Sequence, residues 1–138
     1  MATVEPSISP GTIVLEVESE EHLKRVRPVV ESCLRLLGLR PGWDSYGAES
    51  PRPDLVEAAL QLLVRMLKQD VPAPTVVPTN RGGLQLEWHL PTRDLEVEVV
   101  AHDRFNVIFE DQATGESSDG QFTDIAPILD LVTKLVGT

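Results

Sequence analysis

From Gly83 onward the chain alternates apolar and polar residues. Leu84, Leu86, Trp88 and Leu90 interleave with Gln85, Glu87 and His89; Leu95, Val97 and Val99 with Glu96 and Glu98; Phe105, Val107 and Phe109 with Asn106, Ile108 and Glu110. A period of two is that of a strand with one buried and one wet face. The connections "PTRD" and "HDR" are short, so the three strands are predicted to pair antiparallel as a meander. If Leu90 pairs with Leu95, His89 falls opposite Glu96 and Glu87 opposite Glu98.

Earlier in the chain the period is helical. Leu23, Val26, Val30, Leu34 and Leu37 recur at that spacing behind Ser19, a good N-cap, with Glu20 and Glu21 in the first turn and Gly38 as a stop. Pro28 inside the pattern predicts a kink or the start of a second helical piece. "ESPRPDLVEAALQLLVRMLKQD" is the strongest helix signal: Leu55, Ala59, Leu62 and Met66 line one face and Val56, Leu60, Leu63 and Leu67 the adjoining one, a stripe wide enough to demand heavy burial. The three prolines of "VPAPTVVPT" forbid helix and central strand alike, leaving an extended tether. Residues 1–11 read as loosely ordered, "TIVLEV" as a strand and "DQATGESSDGQ" as a loop or weak edge strand. Thr123 is placed to cap a last helix whose apolar side is Ile125, Ile128, Leu129, Val132 and Leu135. Together these elements predict one α+β domain over residues 1–138. It would be an antiparallel β-meander of three or more strands, with two N-terminal helical segments and a C-terminal helix packed on the face bearing Trp88 and Phe109.

Composition narrows the function. With 138 residues, 41% of them hydrophobic, the chain is long enough to bury a core without disulfides or a structural metal, and no apolar run reaches the roughly 20 residues that span a bilayer. The N-terminal stretch lacks the basic and apolar regions of a secretory signal, and the lone Cys33 has no disulfide or zinc partner, which points to a reducing cytoplasm. The net charge is −10, divided as −5 over residues 1–22, +3 over 23–68 and −8 over 69–138. Such a chain repels phosphate backbones, and the basic residues of its middle are too few to make a nucleic-acid footprint. A basic protein is the partner that this charge attracts.

No catalytic set emerges. In "GWDSYG" the position two before the serine is Trp43, where a nucleophile elbow needs glycine. Cys33 could pair with His22, His89 or His102, but it stands at helical spacing among apolar residues and reads as core. The glycines of "TNRGGLQLEWH" lack the Lys-Ser/Thr and the following helix of a phosphate loop, so they read as a turn. The polar sheet face is richer: Glu87, His89, Glu96 and Glu98 offer the oxygen and imidazole ligands of a divalent-metal site, although open sheet faces commonly carry solvated charge and no cofactor is expected. With Glu110, the same residues make an acidic docking face.

A second candidate is "PGWDSYGA", which sets Trp43 and the only tyrosine, Tyr46, in a loop between glycines, with Asp44 able to bond local backbone. Such aromatics serve equally as interface anchors and as loop plugs; the composition of the loop favours the plug. "GWDSYGA", the leucine-rich helix, "VVPT" and "GGLQLEWH" followed by "DLEVEV" resemble a group of small bacterial proteins. These carry a Gly-Trp-Asp-x-Tyr-Gly-Ala signature ahead of a Gly-Gly-x-x-Leu-Glu-Trp strand. The resemblance spans residues 38–100 and implies a bacterial or phage origin; no activity attaches to the group, so it carries over no catalytic residue. The expectation is a non-enzymatic, acidic interaction module, such as an antitoxin, an immunity protein or a defence-system adaptor. Trp43, Asp44, Tyr46, Glu87, His89, Glu96, Glu98 and Glu110 are its candidate contact residues. The alternatives are a metal-dependent hydrolase or small-ligand binder on the polar sheet face, and a structural subunit of a larger assembly.

Overall fold

A computed structural model describes residues 2–8 and 11–137. The alternating stretches form a five-stranded antiparallel sheet in the order β5-β6-β7-β8-β9: β5 (Thr75–Pro78), β6 (Leu84–His89), β7 (Arg93–Ala101), β8 (Arg104–Asp111) and β9 (Ser117–Phe122). Three helices complete an α+β fold: α1 (Glu20–Leu36), α2 (Pro53–Met66) and α3 (Ala126–Val136). In residues 1–17, β1 (Ala2–Val4) pairs with β4 (Leu15–Val17), and β2 (Ser7–Ile8) with β3 (Gly11–Thr12). Met1, Ser9 and Pro10, part of the stretch expected to be loose, lie outside the described residues.

The alternation sorts the sheet residues as expected. Leu84, Leu86, Trp88, Leu95, Val97, Val99, Phe105, Val107 and Phe109 are buried in one cluster with both stripes of α2 and with Ile128, Val132 and Leu135 of α3. Both α2 and α3 contact β7, α2 also contacts β6, and α1 reaches β5. Helix α1 starts at the expected cap, where Ser19 Oγ accepts from His22 N at 3.1 Å. Pro28 stands inside this continuous helix and opens no second piece; Val26, Val29, Val30 and Cys33 bury the opposite side.

Three expectations give way. The register between β6 and β7 is shifted by two: Leu90 N donates to Arg93 O at 2.9 Å, closing the turn around Pro91-Thr92, and Trp88 rather than Leu90 faces Leu95. Thr123 does not cap α3; Asp124 Oδ1 receives Ala126 N at 3.1 Å instead. The proline-rich tether is extended as expected, but its part Thr75–Pro78 is strand β5, at the sheet edge where the missing N–H of Pro78 costs no ladder bond.

Cationic and imidazole side chains close the helix ends. The last carbonyls of a helix lack intrahelical donors and carry the negative end of its dipole. At the end of α2, His22 Nε2 donates to Val64 O at 2.7 Å, Arg25 Nε to Leu67 O at 2.8 Å and Arg25 Nη2 to Lys68 O at 3.1 Å. His22 Nδ1 accepts from Glu18 N at 3.0 Å, so its two partners fix a neutral tautomer in a 1% exposed side chain. Arg93 does the same for α3, donating to Leu135 O and Gly137 O while its Nε holds Asp111 Oδ2 at 3.1 Å. Burial alone would raise the Asp111 carboxyl, but Arg93 and the Ala113 and Thr114 amides hold it below its usual value.

Trp88 is the largest fully buried side chain, 2% exposed, with Nε1 donating to Pro72 O at 2.7 Å. Trp88→Ala is expected to lose about 3–5 kcal/mol of unfolding free energy in a urea titration. Ile108→Ala, on the opposite face, is expected to lose less than about 1 kcal/mol.

Candidate functional site

The residues that alternate with the core line the other face of the sheet, and they are acidic. Glu87, Asp94, Glu96, Glu98, Glu110 and Asp119 share this face, where His89 and, at the start of β8, Arg104 are the basic side chains at the alternating positions of the described residues. Ile108 stands among them, 46% exposed, between Glu96 on one neighbour and Asp119 on the other.

The register decides which groups meet. Glu87 lies directly opposite Glu96, His89 opposite Asp94 and Gln85 opposite Glu98. Because Leu90 donates to Arg93, these three pairs are the non-hydrogen-bonded ones, whose side chains approach most closely. His89 bridges two carboxylates, with Nδ1 2.8 Å from Asp94 Oδ1 and Nε2 3.0 Å from Glu87 Oε1. Both hydrogen bonds, first that of Glu87 and then that of Asp94, raise the imidazole above its ordinary value of 6.5. Glu87, His89 and Glu96 can each bring a ligand atom within 4.8 Å of the others. Glu98 stands one pair further along, opposite Gln85, and Glu110 lies across β7 opposite Asp94. Asp94 is the member that sequence reasoning missed, because the connection "PTRD" assigns it to the turn; its place before the alternating Leu95 is the available signal.

The "PGWDSYGA" loop divides its two aromatics. Trp43 is half-buried, with Nε1 donating to Glu49 O at 2.9 Å, whereas Tyr46 is 92% exposed. Asp44 Oδ1 accepts from Tyr46 N at 2.8 Å and from Ala48 N at 3.0 Å, and Gly42 N donates to Ala48 O at 2.7 Å. Gly42, Ser45 and Gly47 all take positive φ, a conformation that Ser45 adopts at +68° without the freedom of glycine. Trp43 and Asp44 therefore lock the loop, and Tyr46 is what it presents.

The two sequence signatures meet in space. Glu49 N donates to Asn80 O and Arg52 N to Gly82 O, at 2.9 and 2.8 Å. A Cβ on Gly82 would lie 3.0 Å from Ser50 O, and one on Gly83 would lie 2.6 Å from Val99 O. Gly82 thus lets the end of the aromatic loop pack against the turn into β6, and Gly83 lets that turn lie close to β7. That junction is at the opposite end of β6 from His89, so the loop and the His89 cluster are separate features.

Among the described residues, Cys33, His22 and His102 make no hydrogen bond with one another. Cys33 is fully buried and its thiol is pushed up to about 12 by that burial. His22 serves α2, and His102 lies in the turn between β7 and β8, 3.9 Å from Asp103. Among the described residues no helix is long and apolar enough to cross a membrane.

Compared with family models, curated proteins and solved structures, the chain matches none. The His89 cluster has its own readout. In an NMR titration His89 is expected to titrate above 6.5, and Glu87→Gln with Asp94→Asn is expected to return it toward that value. Since the folded value is the higher one, the stabilisation from this contact is complete below 6.5 and is lost as pH rises through the folded value. A wild-type imidazole titrating at or below 6.5 would refute the bridged geometry.

Proposed function

We propose that this chain is a non-enzymatic interaction module that docks a basic protein on the open face of its sheet. The supporting observation is the concentration of charge: six carboxylates stand at the alternating positions of β6 to β9 against one arginine and the imidazole of His89. Carboxylates spread over adjacent strands repel one another unless a cationic surface neutralises them. A basic partner supplies that neutralisation and is steered toward the face by it. Ile108, an apolar point within the charged field, gives the interface a desolvated centre, and Tyr46 is a second anchor on a separate, rigid loop. An antitoxin or immunity partner of a basic toxin, or an adaptor in a defence system, fits this chemistry.

One observation favours a second reading. Glu87, His89 and Glu96 converge closely enough to share a divalent cation. Asp94 on Nδ1 is the outer-shell carboxylate that orients a ligating imidazole. In the first reading these carboxylates instead hold a protonated His89. Calorimetry with zinc and manganese at neutral pH separates the two, the expected result being no saturable uptake. A stoichiometric, proton-linked site abolished by Glu87→Gln and by His89→Gln would move the function to metal binding.

The docking reading is tested by kinetics. Once the protein that accompanies this chain in its host is identified, its association rate is expected to fall with rising salt, as the Debye length shortens to about 8 Å at physiological ionic strength. The combined Glu87→Gln, Glu96→Gln, Glu98→Gln and Glu110→Gln variant is expected to associate about tenfold more slowly at low salt, with a smaller change in dissociation. Equal, salt-independent rates for the two proteins would reduce the face to a solvated surface.

A further inference from the structure

The two edges of the sheet are built differently. In an antiparallel ladder successive residues point their backbone groups alternately to the two neighbouring strands, so one hydrogen bond fixes the parity of a whole strand. Thr79 N donates to Gly83 O, and the register of β5 with β6 continues from that pair. Thr75 and Val77 therefore face β6, and positions 74, 76 and 78 face outward. Two of these are Pro74 and Pro78, which have no N–H to offer. This edge is closed to strand pairing in the way that natural sheets commonly close their edges.

At the other edge, Asp111 N donates to Glu116 O, and the register of β8 with β9 continues from that pair. Ser118, Gly120 and Phe122 thus turn their backbone groups toward β8. Ser117, Asp119 and Gln121 turn theirs outward, three donors and three acceptors with no backbone partner among the described residues. No proline, lysine or bulge guards them, and all three residues are exposed. The Gln121 side chain is drawn back over the sheet, where Nε2 donates to Asn106 Oδ1 at 3.2 Å. On the helix side, a Cβ on Gly120 would meet nothing within 4 Å, and Phe122 is only half-buried.

We infer that β9 receives an extended segment of the basic partner as a sixth strand of this sheet. The inference rests on the docking reading and deepens it by naming the mode of recognition. Main-chain bonds to Ser117, Asp119 and Gln121 supply the ladder, and alternating side chains supply the choice of partner. Residues of the added strand on the open face lie beside Asp119 and in the field of Glu98 and Glu110, which selects lysine or arginine. Those on the helix side lie over Gly120 and against Phe122, which selects apolar side chains. A second copy of this chain offers the same backbone groups, but it brings another −10 charge and the same acidic face to the seam.

The test uses the full chain and a capped peptide of about seven residues alternating lysine with valine. NMR titration at low salt is expected to show saturable shifts through Ser117–Phe122, with slowed exchange of the Ser117, Asp119 and Gln121 amides. Asp119→Pro removes an outward N–H without touching the β8 ladder and is expected to weaken binding about tenfold, since a backbone bond is lost and the ring obstructs the seam. Asp119→Asn is expected to weaken it about twofold, as one exposed charge is removed. Unchanged exchange of the Val107 and Phe109 amides certifies that β8 is intact in the proline variant; if it is not, the wild-type exchange pattern decides.

Shifts confined to Glu87, Glu96 and Glu98, with no edge protection, would overturn strand addition while leaving the docking face standing. Edge protection that survives the four-site glutamine variant undiminished would do the reverse. Absence of saturable binding would overturn strand addition. Concentration-dependent dimerisation of the chain alone, abolished by Asp119→Pro, would assign the edge to a second copy.

Discussion

Burial of one face of a five-stranded sheet is the constraint on which the rest of this molecule depends. Nine side chains of β6, β7 and β8, from Leu84 to Phe109, are withdrawn from water against α2 and α3. The pleat then leaves no choice for the residues between them, since a strand with period two sends every alternate side chain to the other face. The acidic surface is thus held rigidly by the core that stabilises the fold. Glu87, Glu96 and Glu98 cannot drift apart to relieve their repulsion without unpairing strands anchored by Trp88 and Val97. A field fixed in this way attracts a cation or a cationic partner more strongly than the same charges on a mobile loop.

The helices are coupled to that sheet by polar contacts as well as by packing. His22 and Arg25 in the first turns of α1 satisfy the terminal carbonyls of α2, and Arg93 ties the end of α3 to the start of β7 and to Asp111. The aromatic loop joins through backbone bonds from Glu49 and Arg52 to the turn before β6. Tyr46 and the acidic face are consequently presented by one scaffold with little freedom between them, which favours engagement by a partner at little cost in ordering.

The faces of the sheet were legible in the sequence because alternation is a local property that burial enforces. The register was not, because the closed turn at Leu90–Arg93 sets it, and a shift by two conserves both faces while exchanging every partner. That shift brings Glu87 opposite Glu96 and His89 opposite Asp94, and it leaves Glu98 facing Gln85. The two wide stripes of α2 announced its burial, whereas Pro28 misled, since tertiary packing of Val26, Val29 and Val30 carries α1 past it. The roles of His22, Arg25 and Arg93 depend on contacts some 42 residues distant and leave no periodic trace. Trp43 and Tyr46 share one loop in the sequence; only the three-dimensional path of Asp44 and Glu49 separates the half-buried ring from the exposed one.

If the open acidic face is the surface that a basic protein meets, its carboxylates lie against lysines of that partner. Zero-length carbodiimide crosslinking of the complex isolated from the host, mapped by mass spectrometry, tests it directly, because it joins only carboxylates already in contact with lysines. Links are expected from Glu96, Glu98, Glu110 and Asp119 to lysines of the partner. Links concentrated instead on Asp54 and Glu57 of α2, with the sheet carboxylates unmodified by the partner, would contradict it.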